Sequence, residues 1–170
     1  MPTKLQGGVK LRKALRQFSP DLAKATVKEL GGLLKPVTAK ARGYMPSESP
    51  LSGWAMRPDS KAKFPMYDPN IAKKGIKYKT SPSRANRKGW RALVSILNTS
   101  AAGAIYETAG RKNSGGKFSP RLGGEAKGRD KLQGRVIFRA WNEDQGNTQG
   151  AVIRAIQDAS VKFNNRKAKV

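Results

Sequence analysis

The chain has 170 residues, of which 35 are Lys or Arg and 11 are Asp or Glu, so its net charge is +24. It contains neither histidine nor cysteine, which excludes disulfides, thiolate nucleophiles, the usual zinc ligands and the side chain that titrates near neutral pH. The length suits one domain, and the charge attracts polyanions: nucleic acid, an acidic protein surface or an anionic membrane.

The cations are spread along the whole chain, and no run of five or six like charges marks a separate tail. A generally solvated basic surface and a dedicated binding face are therefore both open. No apolar stretch is long enough to span a bilayer, and residues 1–9 lack the apolar segment of a signal peptide, so we expect no membrane association.

Two helices are predicted at the start of the chain. Apolar side chains recur at helical spacing over 9–18, and Ser19-Pro20-Asp21 has the residue types that begin a new helix. An apolar stripe then runs towards Tyr44 through Leu22, Leu30, Leu33, Leu34, Val37 and Ala41. Because Gly31-Gly32 and Pro36 weaken a helix, we expect a bend or break near 31–36, either functional or simply tolerated.

Residues 45–75 contain five prolines and predict a long extended segment without regular structure. The segment also carries large apolar side chains, so we expect it to pack against something rather than to be disordered. A neighbouring subunit is the favoured partner, and packing within the same chain is the alternative. The residues concerned are Trp54, Phe64, Met66 and Tyr67.

Two strands are predicted next, because residues 76–80 alternate and residues 90–98 form the strongest strand pattern in the chain. The loop between them carries Arg84, Arg87 and Lys88. These side chains either bind the phosphates of DNA, or an acidic partner, or are merely solvated.

The remaining pattern is mostly helical. Thr99 or Ser100 can cap a short helix over 101–109, and a closing helix over 141–163 is split at Gly146-Asn147. Between them lies a glycine-rich basic segment, 111–134, and residues 164–170 read as a flexible basic tail. The element order predicts one α+β domain over 1–163, with a small antiparallel sheet packed against long N-terminal and C-terminal helices and with long extended loops.

No catalytic constellation is present. The eleven carboxylates are scattered, and the one adjacent pair, Glu143-Asp144, does not share a helix face. We therefore expect neither an enzyme nor a cofactor or metal site. Glu107 lies in a short apolar helix, where it can pair with Arg111, Lys112 or a cation across an interface, or be solvated.

Three segments resemble the neck or tail-completion family of long-tailed bacteriophages. Residues 39–46 (AKARGYMP) with Ser52-Gly53-Trp54 are similar to that family's A-x-A-P segment and its following turn. Residues 104–110 (AIYETAG) resemble its Y-A-x-x-x-E-x-G helix, and residues 135–141 (RVIFRAW) resemble its P-F-L-R-P-A phrase before a final amphipathic helix. The present chain lacks the prolines of that phrase, and its two long loops exceed the family pattern.

The resemblance implies a structural virion protein at the head–tail junction, assembled in the bacterial cytoplasm. It implies a homo-oligomeric ring, six-fold by preference or twelve-fold, that joins other connector and tail proteins around the channel for DNA. A ring forms when a heterologous interface closes on itself, and Tyr106 and Glu107 join the interface candidates above. Arg111 and Lys112 join the candidates for DNA or acidic-partner contact.

A second class of function fits the composition. The chain can be a free-standing basic nucleic-acid-binding protein, ribosomal-like or nucleoid-associated, although it has no zinc finger, clear helix-turn-helix or aromatic RNA-binding signature. Affinity that falls steeply with salt is expected of such a protein.

Overall fold

The computed structural model describes residues 7–55, 65–109, 122 and 133–167. The chain clusters into two compact units built from interleaved segments, and one domain over 1–163 stays a prediction. Unit 1 comprises Met1–Lys35, Tyr78–Ser95 and Gly146–Val170, and unit 2 comprises Pro36–Lys77 and Ile96–Gln145.

The described elements are six helices, one 3-10 turn and two strands. In chain order they are α1 (Gly8–Phe18), α2 (Pro20–Gly43), the 3-10 turn (Ser52–Trp54), α3 (Pro69–Gly75), β1 (Ile76–Lys79), β2 (Ser95–Asn98), α4 (Ala101–Thr108), α5 (Ile137–Glu143) and α6 (Asn147–Lys167). The two strands form a small antiparallel sheet. The predicted α+β fold class is confirmed.

In unit 1, α1 packs against the C-terminal half of α6. One apolar cluster contains Leu15, Leu22, Ala159 and Phe163, and a second contains Leu30, Val152, Ala155 and Ile156. Helix α6 continues to Lys167, beyond the predicted end at residue 163. Arg166 there donates to Asp21 at 2.7 Å, and this ion pair accompanies the extra turn.

In unit 2, a larger cluster contains three buried aromatic side chains. Trp54 and Tyr67 lie with their ring centroids 5.2 Å apart, and Tyr106 approaches Tyr67 at 6.4 Å. The other buried members are Val37, Ala41, Met45, Ala72, Ile76, Ala102, Leu122, Val136 and Ala140. Of the apolar stripe predicted on α2, Leu22, Leu30, Leu34, Val37 and Ala41 are buried, and Leu33 is half-buried.

Helix α2 is not broken near 31–36 as the sequence suggested. It is continuous from Pro20 to Gly43 with Pro36 inside it. Proline removes the donor that would pair with the carbonyl of Gly32, but both residues are exposed, so water can satisfy that oxygen. The cost of the two glycines and the proline is offset by burial of the apolar stripe.

The prediction that 45–75 contains no regular structure is wrong for its last part. Asp68 accepts hydrogen bonds from the backbone N–H groups of Asn70 and Ile71, and Pro69 takes the first position of α3. An Asp-Pro pair is a helix-start signal, and the prediction of an extended segment over 45–75 overlooked it.

The prediction of a strand over 90–98 holds only for Ser95–Asn98. Ser100 caps α4 by accepting from the N–H of Gly103, as the sequence indicated. The turn at Gln145 and Gly146, both with positive φ, separates α5 from α6 where the split was predicted.

Candidate nucleic-acid interface

The segment before β2 is an ordered loop, residues 83–92, which we call the basic loop. The N–H of Ser83 donates to the carbonyl of Ala92 at 2.9 Å, and the N–H of Ala92 donates to Oγ of Ser83 at 2.8 Å. These bonds close the loop at its base. They also use backbone groups that a strand over 90–94 would need for a ladder.

Asn86 organises the tip of the basic loop. Its Oδ1 accepts from the N–H groups of Lys88 and Trp90 at 3.0 and 2.9 Å, and its own N–H donates to the carbonyl of Trp90 at 2.9 Å. Gly89 has a φ of 74°, a conformation that side-chain-bearing residues adopt only with strain. The tip is therefore shaped by its own hydrogen bonds.

The basic loop presents four exposed cations and no carboxylate: Arg84, Arg87, Lys88 and Arg91. Trp90 lies among them with 46% of its surface exposed. Cations neutralise phosphates, and an exposed indole offers a face on which a base can stack. The loop thus combines the two features by which proteins hold nucleic acid strands.

Arg12 of α1 anchors the two ends of the segment that carries the basic loop. Its Nη1 donates to the carbonyl of Thr80 and, at 3.1 Å, to the carbonyl of Leu93. The Arg12 side chain is buried, and burial, followed by the neighbouring charge of Arg16, lowers the pKa of its guanidinium. One buried side chain therefore ties both ends of the segment to α1.

The structure brings Arg84, Arg87 and Lys88 together on one exposed loop, as their sequence spacing predicted. Trp90 and Arg91 were missed as site residues, because the apolar pattern assigned them to a strand. The available signal was the dense run of cations around a Gly-Trp pair. The other two candidates, Arg111 and Lys112, lie outside the described residues.

The residues proposed for a subunit interface need correction. Trp54, Tyr67, Tyr106 and Glu107 are each less than 7% exposed within the chain itself. Packing within the same chain accounts for them, which for Trp54 and Tyr67 is the alternative noted above. Any contact between subunits would use other surfaces. Met66 is half-buried, and Phe64 lies outside the described residues.

Hydrogen bonds inside the chain explain why these aromatic side chains are buried without penalty. Trp54 donates from Nε1 to the carbonyl of Pro65 at 2.7 Å, and Tyr67 donates from its hydroxyl to the carbonyl of Pro46 at 2.8 Å. Burial raises the pKa of the Tyr67 hydroxyl above its usual range. Both polar groups are paired, so the rings can contribute their apolar area to the core.

Glu107 is a structural carboxylate rather than a partner for a cation across an interface. Its Oε2 accepts from the N–H groups of Val136 and Ile137 at 2.7 and 3.0 Å, and its Oε1 accepts from Phe138 at 2.9 Å. It thereby caps the N-terminus of α5, where unpaired donors and the helix dipole favour a negative charge. A Cβ on Gly134 would lie 2.1 Å from Oε1, so only glycine fits beside this contact.

Arg135 makes the reciprocal link. Its Nη1 donates to the carbonyls of Tyr106 and Ala109 at 3.1 and 2.6 Å, at the C-terminus of α4. A residue of α4 thus caps α5, and a residue just before α5 caps α4. Two segments about 30 residues apart in sequence form one hydrogen-bonded unit.

An exposed ionic cluster also lies in unit 2. Glu143 accepts from the Tyr44 hydroxyl, from Nζ of Lys40 at 2.9 Å and from Nε of Arg139 at 3.0 Å. The guanidinium of Arg139 stacks on the Tyr44 ring at 4.1 Å. These donors, the Tyr44 hydroxyl first, lower the pKa of Glu143 from 4.5 to about 2.

Within the described part of the chain, no three acidic side chains come close enough to hold a metal ion. None of the described helices has the length and hydropathy needed to cross a bilayer. Comparison of the chain with family models, with curated proteins and with solved structures finds no match.

Proposed function

We propose that this chain is a structural component of the head–tail junction of a long-tailed bacteriophage. In this proposal, copies of the chain form a ring that joins the capsid connector to the tail, and the basic loop faces the DNA or an acidic partner in the channel. The role is mechanical, and no residue performs a reaction.

The observation that carries the proposal is the reciprocal capping of α4 and α5. The family resemblance rests largely on the Tyr106-Glu107 helix and on the phrase from Arg135 to Trp141. In this structure Glu107 caps the helix within that phrase, and Arg135 caps the helix that contains Glu107. The two motifs therefore have a physical reason to occur together, since each caps the helix of the other. This supports the resemblance in addition to the similarity of sequence.

The basic loop supports the part of the proposal that concerns DNA. A channel wall that lets DNA pass needs contacts with phosphate that form and break readily, rather than a site that reads bases. Four exposed cations on a loop without carboxylates meet that need.

The assembly is tested by measuring the mass of the purified protein with light scattering and by imaging it with negative stain. Each measurement is made on the protein alone and on its mixture with the connector proteins that are encoded beside it. We expect rings with six or twelve copies. We also expect the neighbouring genes to encode a portal and a major tail protein. A strictly monomeric protein that forms no ring even beside those partners would refute the proposal.

A second candidate function is favoured by Trp90, the exposed indole within the basic loop. A protein that binds single-stranded nucleic acid on its own uses such a side chain for stacking, which contributes about 1–3 kcal/mol per base. Tight, saturable binding by the isolated protein at physiological salt, lost in Trp90→Ala, would favour this candidate. Weak binding that salt abolishes and that Trp90→Ala does not change would favour the connector.

A further inference from the structure

Unit 1 contains an open apolar groove where the end of α1 meets the start of α2. Its volume is about 380 Å³, and its lining consists of Arg16, Pro20, Ala23, Lys24, Val27 and Lys28. Pro20, Ala23 and Val27 form its apolar part, and the other three lining residues are exposed cations. None of the described residues that line it is a carboxylate.

A buried donor that has no partner in the described part of the chain lies beside the groove. A small pocket of about 10 Å³, enough for roughly one water or one oxygen atom, is lined by Arg12, Leu15 and Thr26 and shares Arg16, Ala23 and Val27 with the groove. Arg12 is 5% exposed, and its Nη2 has no hydrogen-bond partner among the residues that the structure describes. A buried guanidinium N–H without an acceptor is costly, so an acceptor delivered at this place would be favourable.

Phe18 extends the apolar character of this end of the unit. It is the last residue of α1, and 60% of its surface is exposed. In the chain it lies between Arg16 and Pro20, two residues that line the groove.

We propose that this groove binds an acidic amphipathic segment of another protein. Apolar side chains of that segment would cover Ala23 and Val27, and its carboxylates would meet Arg16, Lys24 and Lys28, one of them being able to reach the Arg12 pocket. This is the mode in which a helix lays its apolar face into a groove, with charge complementarity selecting the partner.

Two other occupants fit less well. A nucleic acid backbone gains nothing from an aliphatic floor of Pro20, Ala23 and Val27. A second copy of this chain carries a net charge of +24, so charge repulsion opposes its approach to a groove lined by three cations. The inference does not depend on the proposed function, because any acidic partner satisfies it.

The test uses the full-length protein and a fluorescein-labelled peptide of about 14 residues, roughly four helical turns, with Leu on one face and Glu elsewhere. A scrambled peptide of identical composition is the control for charge alone. The variant Lys24→Glu/Lys28→Glu reverses two exposed charges of the groove. The matched control, Lys74→Glu/Lys77→Glu, makes the same change of charge at exposed residues that do not line it.

We expect the amphipathic peptide to bind the wild-type protein about tenfold more tightly than the scrambled one, and the groove variant to lose about tenfold in affinity. The matched control should change affinity less than about threefold. In NMR titrations, the amides of residues 16–28 should shift, together with the Arg12 side-chain signals.

Equal binding of the two peptides, or an equal loss in both charge variants, would show attraction by net charge alone and would overturn the proposal. So would an absence of shifts at residues 16–28 with peptide at about 1 mM. Displacement of the bound peptide by a short DNA duplex, with the same amides shifting, would instead assign the groove to nucleic acid.

Discussion

Neutralising two cations of the basic loop should change the salt dependence of DNA binding by an amount that follows from the number of phosphate contacts. Each neutralised phosphate of duplex DNA contributes about −0.9 to the slope of log affinity against log salt. Contacts from Arg84, Arg87, Lys88 and Arg91 therefore contribute a slope of roughly −3.6. Between about 50 and 200 mM salt, this slope lowers the affinity about 150-fold.

The variant Arg84→Gln/Arg87→Gln should lower the magnitude of the measured slope by about 1.8, so that its loop contributes only about a 12-fold loss over the same range. Other cations of this +24 chain add a common background, and the difference between variant and wild type removes it. The assay is fluorescence anisotropy of a labelled duplex at several salt concentrations.

The matched control is Lys74→Gln/Lys77→Gln, which removes two exposed charges outside the loop. Its slope should stay within about 0.5 of the wild-type value, less than the contribution of one contact. If the loop variant has the wild-type slope, or if the control loses as much, the basic loop does not contact phosphate and the assignment of the site is wrong.

Three further results are expected. Glu107→Ala should lower the free energy of unfolding by about 2–4 kcal/mol, because three backbone donors at the start of α5 lose their acceptor; urea denaturation measures it, and a loss no larger than that of the exposed control Glu29→Gln would contradict the capping role. Arg12→Met should speed hydrogen exchange at the amides of Ser83 and Ala92, since the carbonyls at both ends of that segment lose their donor; unchanged protection by mass spectrometry would show that Arg12 does not hold the loop. Because the pKa of Glu143 falls from 4.5 to about 2 in the folded protein, its stabilisation is complete above pH 4.5 and disappears as the pH falls towards 2. Glu143→Gln should therefore flatten the decline of stability between pH 4.5 and 2, and the two proteins should converge near pH 2; parallel curves would refute this.

Burial of the interface candidates changes where an assembly surface can lie. The buried aromatic side chains Trp54, Tyr67 and Tyr106 stabilise unit 2 itself. Any subunit contact would therefore use exposed residues. The large exposed apolar side chains among the described residues are Phe18, Ile71, Trp90 and Val161. Substituting these singly is the direct way to find a contact surface.

Local signals determined most of the helices. Ser19-Pro20-Asp21 begins α2, Ser100 caps α4, and Gly146 separates α5 from α6, because capping and turn formation depend on residues within one or two turns of each other. The apolar stripe of α2 likewise identified its buried face, since helical spacing alone sets which side chains share a face.

Long-range contacts determined the rest. The span 90–94 has the composition of a strand, but Ser83 and Arg12 take its carbonyl groups, and Arg12 lies about 80 residues away in sequence. The sequence suggested that Glu107 lies at the surface. Its carboxylate instead accepts hydrogen bonds from three backbone N–H groups about 30 residues further along the chain. Composition and spacing set which elements can form, whereas the partner of a buried polar group depends on which segments the tertiary fold brings together. For this reason Glu107, predicted as an interface residue, caps α5. For the same reason residues 83–92 form an ordered basic loop rather than the start of a strand.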